Sequence, residues 1–346
     1  MAYEVKTENG GSYIGGVPAL RWGAWRDNTY CGCIAAVTEI LGAPVSYETL
    51  MGVSGICYRL GLKTSLDPSS GMPQNGQIWD DRINAAIGYK MYALRDERRR
   101  NQRVRENLDA GRPVLCVGAM CEPEWELLTG YDGHCFFGRS YFDTQGTPQD
   151  RPEELRTPHA YLRASNYPGW VPKSLTRFFD KPCKKEEPLR LLQKSLEACL
   201  MYFTHEPRGD ARFGEAAYRI LIDGLEAGDG DWGQYSGNVI SRLRDLADAR
   251  RSAYVYLRDC APLLRGSNRA KLRGVAEACR SIADDVLALV PYAHMSPAWS
   301  SGNDSAKDWD SEFRQTLADA LGRALDTEKT VQLAVKGILA HWGETK

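Results

Sequence analysis

Two cysteines stand at the start of an apolar run near the N-terminus, within the sequence Asn28-Thr-Tyr-Cys31-Gly-Cys33-Ile-Ala-Ala-Val. The run continues to Leu41 and stops at Gly42, which predicts a helix that begins at these cysteines. A thiol at a helix N-terminus faces unpaired N–H groups and the positive end of the helix dipole, and both lower its pKa. The segment therefore predicts a nucleophilic thiolate whose neighbouring N–H groups stabilise the oxyanion formed on an acyl carbon.

The spacing does not decide whether Cys31 or Cys33 is the nucleophile. A second interpretation gives both thiols a purely structural role. Both residues could pack the first helical turn, because free cysteine behaves as a small, usually buried apolar side chain. The chain has 10 cysteines and no secretion signal, so we expect reduced thiols. No second CxxC or HxxxH half accompanies the close cysteine pairs, so we predict no structural metal, and no cofactor.

The predicted secondary structure of the segments that must position these thiols changes from helix to strand along the chain. Helical patterns come first, and short apolar runs at 113–118, 126–129 and 135–137 then predict antiparallel strands. Gly10-Gly11 and Gly15-Gly16 have no strand before them and no helix after them, so we interpret them as a flexible leader. Helices before strands predict an α+β domain over residues 1–180.

From Pro188 onward the apolar residues recur three or four positions apart, which predicts an all-helical bundle over residues 188–346. Its further helices are expected at about 212–226, 236–263, 268–290 and 307–342. The charged, proline-bracketed segment 181–187 is the predicted domain boundary.

Several segments between residues 18 and 145 carry a pattern found in a known group of proteins. They are Leu41-Gly42, Tyr47 to Arg59, Glu124-Trp125, Thr129-Gly-Tyr131-Asp132 and Gly138-Arg-Ser-Tyr141-Phe-Asp143. With these segments, residues 18–145 resemble bacterial papain-like proteins related to the N-terminal domain of the butirosin-biosynthesis acyltransferase and to bacteriocin-processing cysteine peptidases. The resemblance implies a papain-like fold and thiol-based acyl transfer or amide cleavage, with specialised-metabolite biosynthesis as the expected setting.

One departure from the peptidase pattern concerns the general base. The peptidases have a histidine where this chain has Glu124, whereas Asp143 stands at a place like that of the residue that orients the histidine. His134, at the tip of the predicted turn formed by residues 130–133, is one candidate for the missing base. Glu124 is the other, if burial raises its pKa, although the run Glu122, Glu124 and Glu126 is equally typical of a solvated acidic edge strand.

The predicted substrate pocket contains Asn28, Trp125 and Tyr131, and aromatic core packing explains the two rings equally well. A small-molecule or a peptidyl or acyl substrate fits the predicted chemistry. The arginine-rich run 95–105 could hold an acidic acyl carrier protein, and a solvated helix face is its simpler interpretation.

Charge and hydropathy narrow the possible partners. The chain carries 44 basic and 45 acidic side chains, interspersed along its length, which disfavours nucleic acid as a partner. No segment approaches the roughly 20 apolar residues of a membrane span, so we predict no membrane partner and a cytoplasmic location. A catalytically inactive papain-like binding or scaffold protein, which lost the histidine, is the alternative to an enzyme.

Overall fold

A computed structural model describes residues 3–8, 10–20, 25–63, 76–120, 124–133, 135–141, 161–164, 176–204, 211–228, 232–289 and 310–345. The strands in these ranges are β1 Val5–Glu8, β2 Gly11–Ile14, β3 Gly61–Lys63, β4 Val114–Val117, β5 Trp125–Asp132, β6 Cys135–Arg139, β7 Leu162–Arg163 and β8 Ala211–Phe213. The helices are α1 Thr29–Ile40, α2 Tyr47–Ser54, α3 Gly76–Ile87, α4 Glu97–Asp109, α5 Pro188–Phe203, α6 Gly214–Ala227, α7 Trp232–Cys260, α8 Gly266–Leu289 and α9 Ser311–Ala340. Every pairing between these strands is antiparallel, so the fold is mixed α and β with an antiparallel sheet.

The chain forms two compact units, each built from two stretches of sequence. Unit 1 contains Met1–Leu50 and Ile83–Lys185, and unit 2 contains Met51–Arg82 and Glu186–Lys346. This division differs from the predicted domains 1–180 and 188–346 in the stretch Met51–Arg82. That stretch contributes β3, which pairs with β8, and no local sequence pattern identifies a pairing partner so far along the chain.

Strand β5 is the centre of the sheet in unit 1. The strand order is β1-β2-β5-β6-β7, and β4 also pairs with β5. β6 pairs along 127–132 of β5, while β4 pairs with 125–128 and β2 with 130–131. A strand has only two edges, so β4 and β2 share the edge opposite β6. β5 is therefore not an edge strand, and the interpretation of Glu126 as part of a solvated acidic edge is wrong.

The glycine-rich N-terminal segment is a hairpin rather than a flexible leader. β1 pairs with β2, and β2 continues the sheet through Ser12 and Tyr13 opposite Tyr131 and Gly130. A Cβ atom at Gly11 would lie 2.1 Å from the carbonyl oxygen of Tyr131, so the strands can approach only because this residue is glycine. The pairing partner lies far along the sequence, which is why composition alone suggested a loose segment.

Helices α1 and α4 both contact β5. Val104 and Leu108 of α4 join the main apolar core of unit 1 together with Val114 and Leu128 of the sheet and Phe178. Residues 125–130 of β5 are buried, which is expected of a strand with partners at both edges. α1 thus starts beside the first residues of β5, and this junction contains both predicted thiols.

Unit 2 is mainly helical, with a packed core from α6, α7, α8 and α9. α7 and α8 are joined by a short 3-10 turn at Ala261–Leu263 and pack against each other, so they run antiparallel. The prediction of an all-helical C-terminal domain is wrong in one respect, because β8 lies within it. β3 and β8 form a separate two-stranded sheet, with Gly61 opposite Phe213.

A buried ion pair stabilises the interior of unit 2. Arg250 of α7 is bonded through Nε to Glu328 of α9, and both side chains are almost fully buried. Arg250 also donates from Nη1 to the carbonyl oxygen of Cys57 at 2.7 Å, and the Tyr218 hydroxyl donates to Glu328 at 3.2 Å. The pair therefore ties two long helices to the 3-10 turn at Ile56–Tyr58.

None of the helices in the described ranges is both long enough and apolar enough to cross a membrane.

Replacement of one partner of the buried Arg250–Glu328 ion pair should destabilise unit 2 far more than loss of a surface ion pair. We expect Arg250→Met to lower the free energy of unfolding by about 3–5 kcal/mol, because Glu328 is then left buried and uncompensated. Arg258→Met is the matched control, since the Arg258–Asp259 pair is exposed and contributes about 1 kcal/mol or less. Urea unfolding measures both. The double variant Arg250→Met/Glu328→Leu should recover most of the loss; a double variant no more stable than the single one contradicts the explanation.

Candidate functional site

The first turn of α1 is fixed by a side-chain cap. Asn28 is the N-cap, and its Oδ1 accepts the Cys31 N–H at 2.9 Å. The Asn28 N–H donates to the Tyr47 hydroxyl at 3.0 Å, which ties the cap to the start of α2. Cys31 is therefore the third residue of a capped helix, and Cys33 the fifth. The oxygen of Asn28, which we predicted for the substrate pocket, is used by this cap.

A hydrogen-bonded link joins the same turn to the start of β5. The Thr29 hydroxyl donates to Glu124 Oε2 at 2.6 Å and accepts a longer bond, 3.4 Å, from the Trp125 N–H. The Tyr30 and Trp125 rings pack with their centroids 4.8 Å apart. Hydroxyl-to-carboxylate bonds are among the stronger hydrogen bonds in proteins, so this link holds Glu124 beside the helix start.

Tyr141 covers the outside of this turn at unusually close range. Its hydroxyl donates to the Thr29 carbonyl oxygen at 3.3 Å, and the side chain is buried. A Cβ atom built on Gly32 would lie 1.6 Å from the Tyr141 hydroxyl oxygen. The glycine between the two cysteines is therefore required by the position of Tyr141, whose phenol lies against the backbone that carries both thiols.

The surroundings of Cys33 keep its thiol protonated. Its Sγ donates to the Trp125 carbonyl oxygen at 3.2 Å, and the residue has no exposed surface. Burial raises the pKa of this thiol well above 9.0, and the negative charge of Glu126 raises the pKa further. Glu126 is itself fully buried, with Oε2 accepting the Met120 N–H at 2.8 Å. Cys33 thus has the properties of a structural thiol.

Cys31 is in a different position from Cys33. It lies in the first turn of α1, where the helix dipole is strongest, and its backbone N–H is held by the cap. It is also buried, with no exposed surface. Both sulfurs lie close enough to the Tyr141 phenol to raise its pKa, after the larger effect of burial. The described part of the site therefore groups Cys31, Cys33, Tyr141 and Glu124 around one helical turn.

One predicted residue, Tyr131, lies away from this group, and two others are not among the described residues. Tyr131 lies six residues beyond Trp125 on β5, roughly 20 Å away along an extended strand. Its hydroxyl donates to Asp109 at 2.8 Å, and the guanidinium of Arg105 lies 4.3 Å from its ring centroid. His134 and Asp143 fall outside the described residues.

Sequence reasoning missed Thr29, Glu126 and Tyr141 as members of the site. The sequence could have indicated a role for Thr29, because Thr, Asn and Ser side chains at a helix start usually form hydrogen bonds with nearby groups. Tyr141 stands in the segment 138–143 that carries the family resemblance, but only the fold brings it over Gly32. Among the described residues, no group of three or more His, Cys, Asp and Glu side chains is arranged to hold a metal ion.

Substitution of Gly32 tests the close approach of Tyr141. We expect Gly32→Ala to lower the free energy of unfolding by about 1–3 kcal/mol, because the new methyl group overlaps the Tyr141 hydroxyl. Gly322→Ala in α9 is the matched control, since nothing lies within 4 Å of its Cβ position, and alanine there should be neutral or stabilising. Chemical unfolding measures both variants. Adding Tyr141→Leu should restore part of the loss, and a Gly32→Ala protein as stable as the wild type would refute the contact.

The raised pKa of Cys33 predicts how stability depends on pH. Below about pH 9 the Cys33 thiol is protonated in both the folded and the unfolded chain, so the full contribution of this thiol to the free energy of unfolding is present. Above that pH only the unfolded chain loses the proton, and stability falls by up to about 1.4 kcal/mol per pH unit for this group. The free energy of unfolding, measured between pH 7.5 and pH 10, should therefore fall less steeply with pH for Cys33→Ser than for the wild type. Cys135→Ser removes an exposed thiol and should follow the wild type; equal slopes for Cys33→Ser and the wild type would disprove the assignment.

No protein-family model matches this chain, and no curated protein matches it.

Proposed function

We propose that the chain is a thiol-dependent enzyme of papain-like fold that transfers acyl groups or processes amides, with Cys31 as the nucleophile. The observation that carries this proposal is the contrast between the two thiols of one helical turn. Cys33 donates its proton to a backbone carbonyl and lies beside a buried carboxylate, whereas Cys31 lies in the capped turn at the positive end of the dipole. The contrast favours Cys31, which the spacing alone left equal to Cys33.

The chemical step has two halves. In the first, the Cys31 sulfur attacks the acyl carbon of a thioester or amide, a new carbon–sulfur bond forms, and the bond to the leaving group breaks. The proton lost by the thiol passes through a base to the departing thiol or amine. In the second half an amine or water attacks the acyl-cysteine, and the sulfur regains a proton as the acyl group leaves.

Glu124 is the described carboxylate best placed to handle that proton. Thr29 holds it at the N-terminal end of α1, and it lies close enough to Cys33 to contribute to the raised pKa of that thiol. The family resemblance adds His134 as a second candidate base and Asp143 as its orienting residue. Neither role requires the carboxylate of Glu126, which is bonded to a backbone N–H in the interior.

A second candidate is a non-catalytic binding or scaffold protein of the same fold. The complete burial of both thiols favours it, because a nucleophile must meet its substrate. The bond between Thr29 and Glu124 also favours it, because it gives that carboxylate a structural role. The two candidates differ in whether an acyl group can be placed on Cys31.

Acylation of Cys31 is the direct test. The protein is incubated at pH 7 with the acetyl and octanoyl thioesters of N-acetylcysteamine, and intact-mass spectrometry counts the acyl groups gained. The enzyme is expected to gain one acyl group, located on Cys31 by peptide mapping and removed by hydroxylamine. Cys31→Ser should abolish that adduct, because a serine hydroxyl lacks an accessible anionic form.

Cys33→Ser is the matched control, since it removes the neighbouring thiol and leaves Cys31 in place. It should retain the adduct, whereas Glu124→Gln should slow its formation by roughly 10²-fold or more if Glu124 is the base. Cys135 and Cys183 are exposed, so the mapping must separate their background labelling from the adduct on Cys31. An intact Cys31 that never carries an acyl group, with labelling confined to the exposed cysteines, would favour the binding protein.

A further inference from the structure

Helix α4 carries a buried arginine in a position that otherwise belongs to the apolar core. Arg100, Val104, Asn107 and Leu108 are the buried residues of α4, and their spacing places them on one face of the helix. Val104 and Leu108 pack in the core of unit 1. Arg100 lies one turn before Val104 on the same face and is only 1% exposed, so its side chain enters the interior of the unit.

Two of the three guanidinium nitrogens of Arg100 have no hydrogen-bond partner among the described residues. Its Nε and Nη1 are buried without a hydrogen bond, and no described carboxylate forms an ion pair with it. Neighbouring Arg103 differs, because it is bonded to Asp180, Glu106 and Tyr92. A buried charge without a partner is strongly unfavourable, so proteins normally pair it or bind a ligand of opposite charge there.

Unit 1 contains a second buried polar group that has no hydrogen bond in the described part of the chain, the Thr176 hydroxyl. Arg177 and Leu115 exchange both backbone hydrogen bonds, so the register places Thr176 opposite Cys116, on the face of the sheet that bears Cys116. Cys116 belongs to the core that α4 covers. The Thr176 hydroxyl is fully buried and has no hydrogen bond within the described residues. Arg100 and Thr176 are thus two buried polar side chains of unit 1 whose donors are unsatisfied among the described residues, one of them charged, and each adjoins the main apolar core of the unit.

We propose that unit 1 binds an oxyanion, a carboxylate or a phosphoryl group, at Arg100. A guanidinium presents parallel N–H donors that match the two oxygens of such a group, which an ammonium does not. Arg100 takes part in none of the described hydrogen bonds around Cys31 and Cys33, so the proposal does not depend on acyl transfer. The oxyanion neutralises the buried charge and makes the folded unit more stable.

Thermal unfolding of the full chain in oxyanion salts tests the site. Sodium phosphate and sodium acetate are titrated at constant ionic strength, with sodium chloride as the reference salt. Binding to the folded state alone should raise the wild-type Tm in a saturable manner, by roughly 3 °C or more at concentrations well above Kd. The salt with the lower half-saturating concentration identifies the phosphoryl or the carboxylate group as the preferred ligand.

Arg100→Met should abolish the saturable rise and, without oxyanion, should have a Tm at or above that of the wild type, because the unpaired charge is gone. Arg98→Met is the matched control, because Arg98 is exposed on the same helix, and it should respond as the wild type does. If Arg100→Met does not fold, Arg100→Lys provides the second variant. It keeps the positive charge but loses the parallel N–H donors of the guanidinium, so its half-saturating oxyanion concentration should be at least about tenfold higher. A wild type that responds equally to chloride and to both oxyanions, or an Arg100 variant that responds as the wild type does, would overturn the proposal.

Discussion

The hydrogen bonding of β5 is the constraint on which unit 1 depends. This strand pairs with β6 along one edge and with both β4 and β2 along the other. Its first residues also form the base of the candidate site, through the Trp125 carbonyl that accepts from Cys33 and the Trp125 N–H that reaches Thr29. The helix that carries the thiols is therefore held by the same backbone that organises the sheet. A change in the register of β5 would move the sheet and the site together.

The parts of this fold that local sequence predicts are the helices and the short strands of the meander. The four late helices lie within a few residues of the ranges that apolar periodicity indicates, because each buries one face and repeats at 3.6 residues. The arginine-rich run 95–105, interpreted as a solvated helix face, lies mostly in α4, which Asp96 caps through the Arg99 N–H, but the burial of Arg100 on that helix was not predicted. The N-terminal hairpin was missed because its glycines are explained only by a close approach to Tyr131.

The candidate site divides in the same way. The helix start and its two thiols were predicted, because both are local features, whereas Asn28 was assigned to the substrate pocket although Asn is a common N-cap residue. The difference between Cys31 and Cys33 could not, since it depends on Trp125, Glu126 and Tyr141. These residues reach the helix only through the fold. Burial of Glu126 was equally hidden, because an alternating acidic sequence looks the same in an edge strand and in a central one.

The division of the chain into two interleaved units has a consequence for synthesis on the ribosome. β3 leaves the ribosome early, but its only strand partner in the described ranges, β8, begins at residue 211. Unit 2 cannot close its small sheet until unit 1 has been completely translated, and Glu328, which neutralises Arg250, is made later still. Leu60 and Leu62 of the stretch Met51–Arg82 therefore cannot reach their core partners in α6 to α9 until the intervening unit has been made. The order of translation thus allows unit 1 to be completed first. Unit 2 is completed later, and its segment Met51–Arg82 is synthesised before all of its other residues.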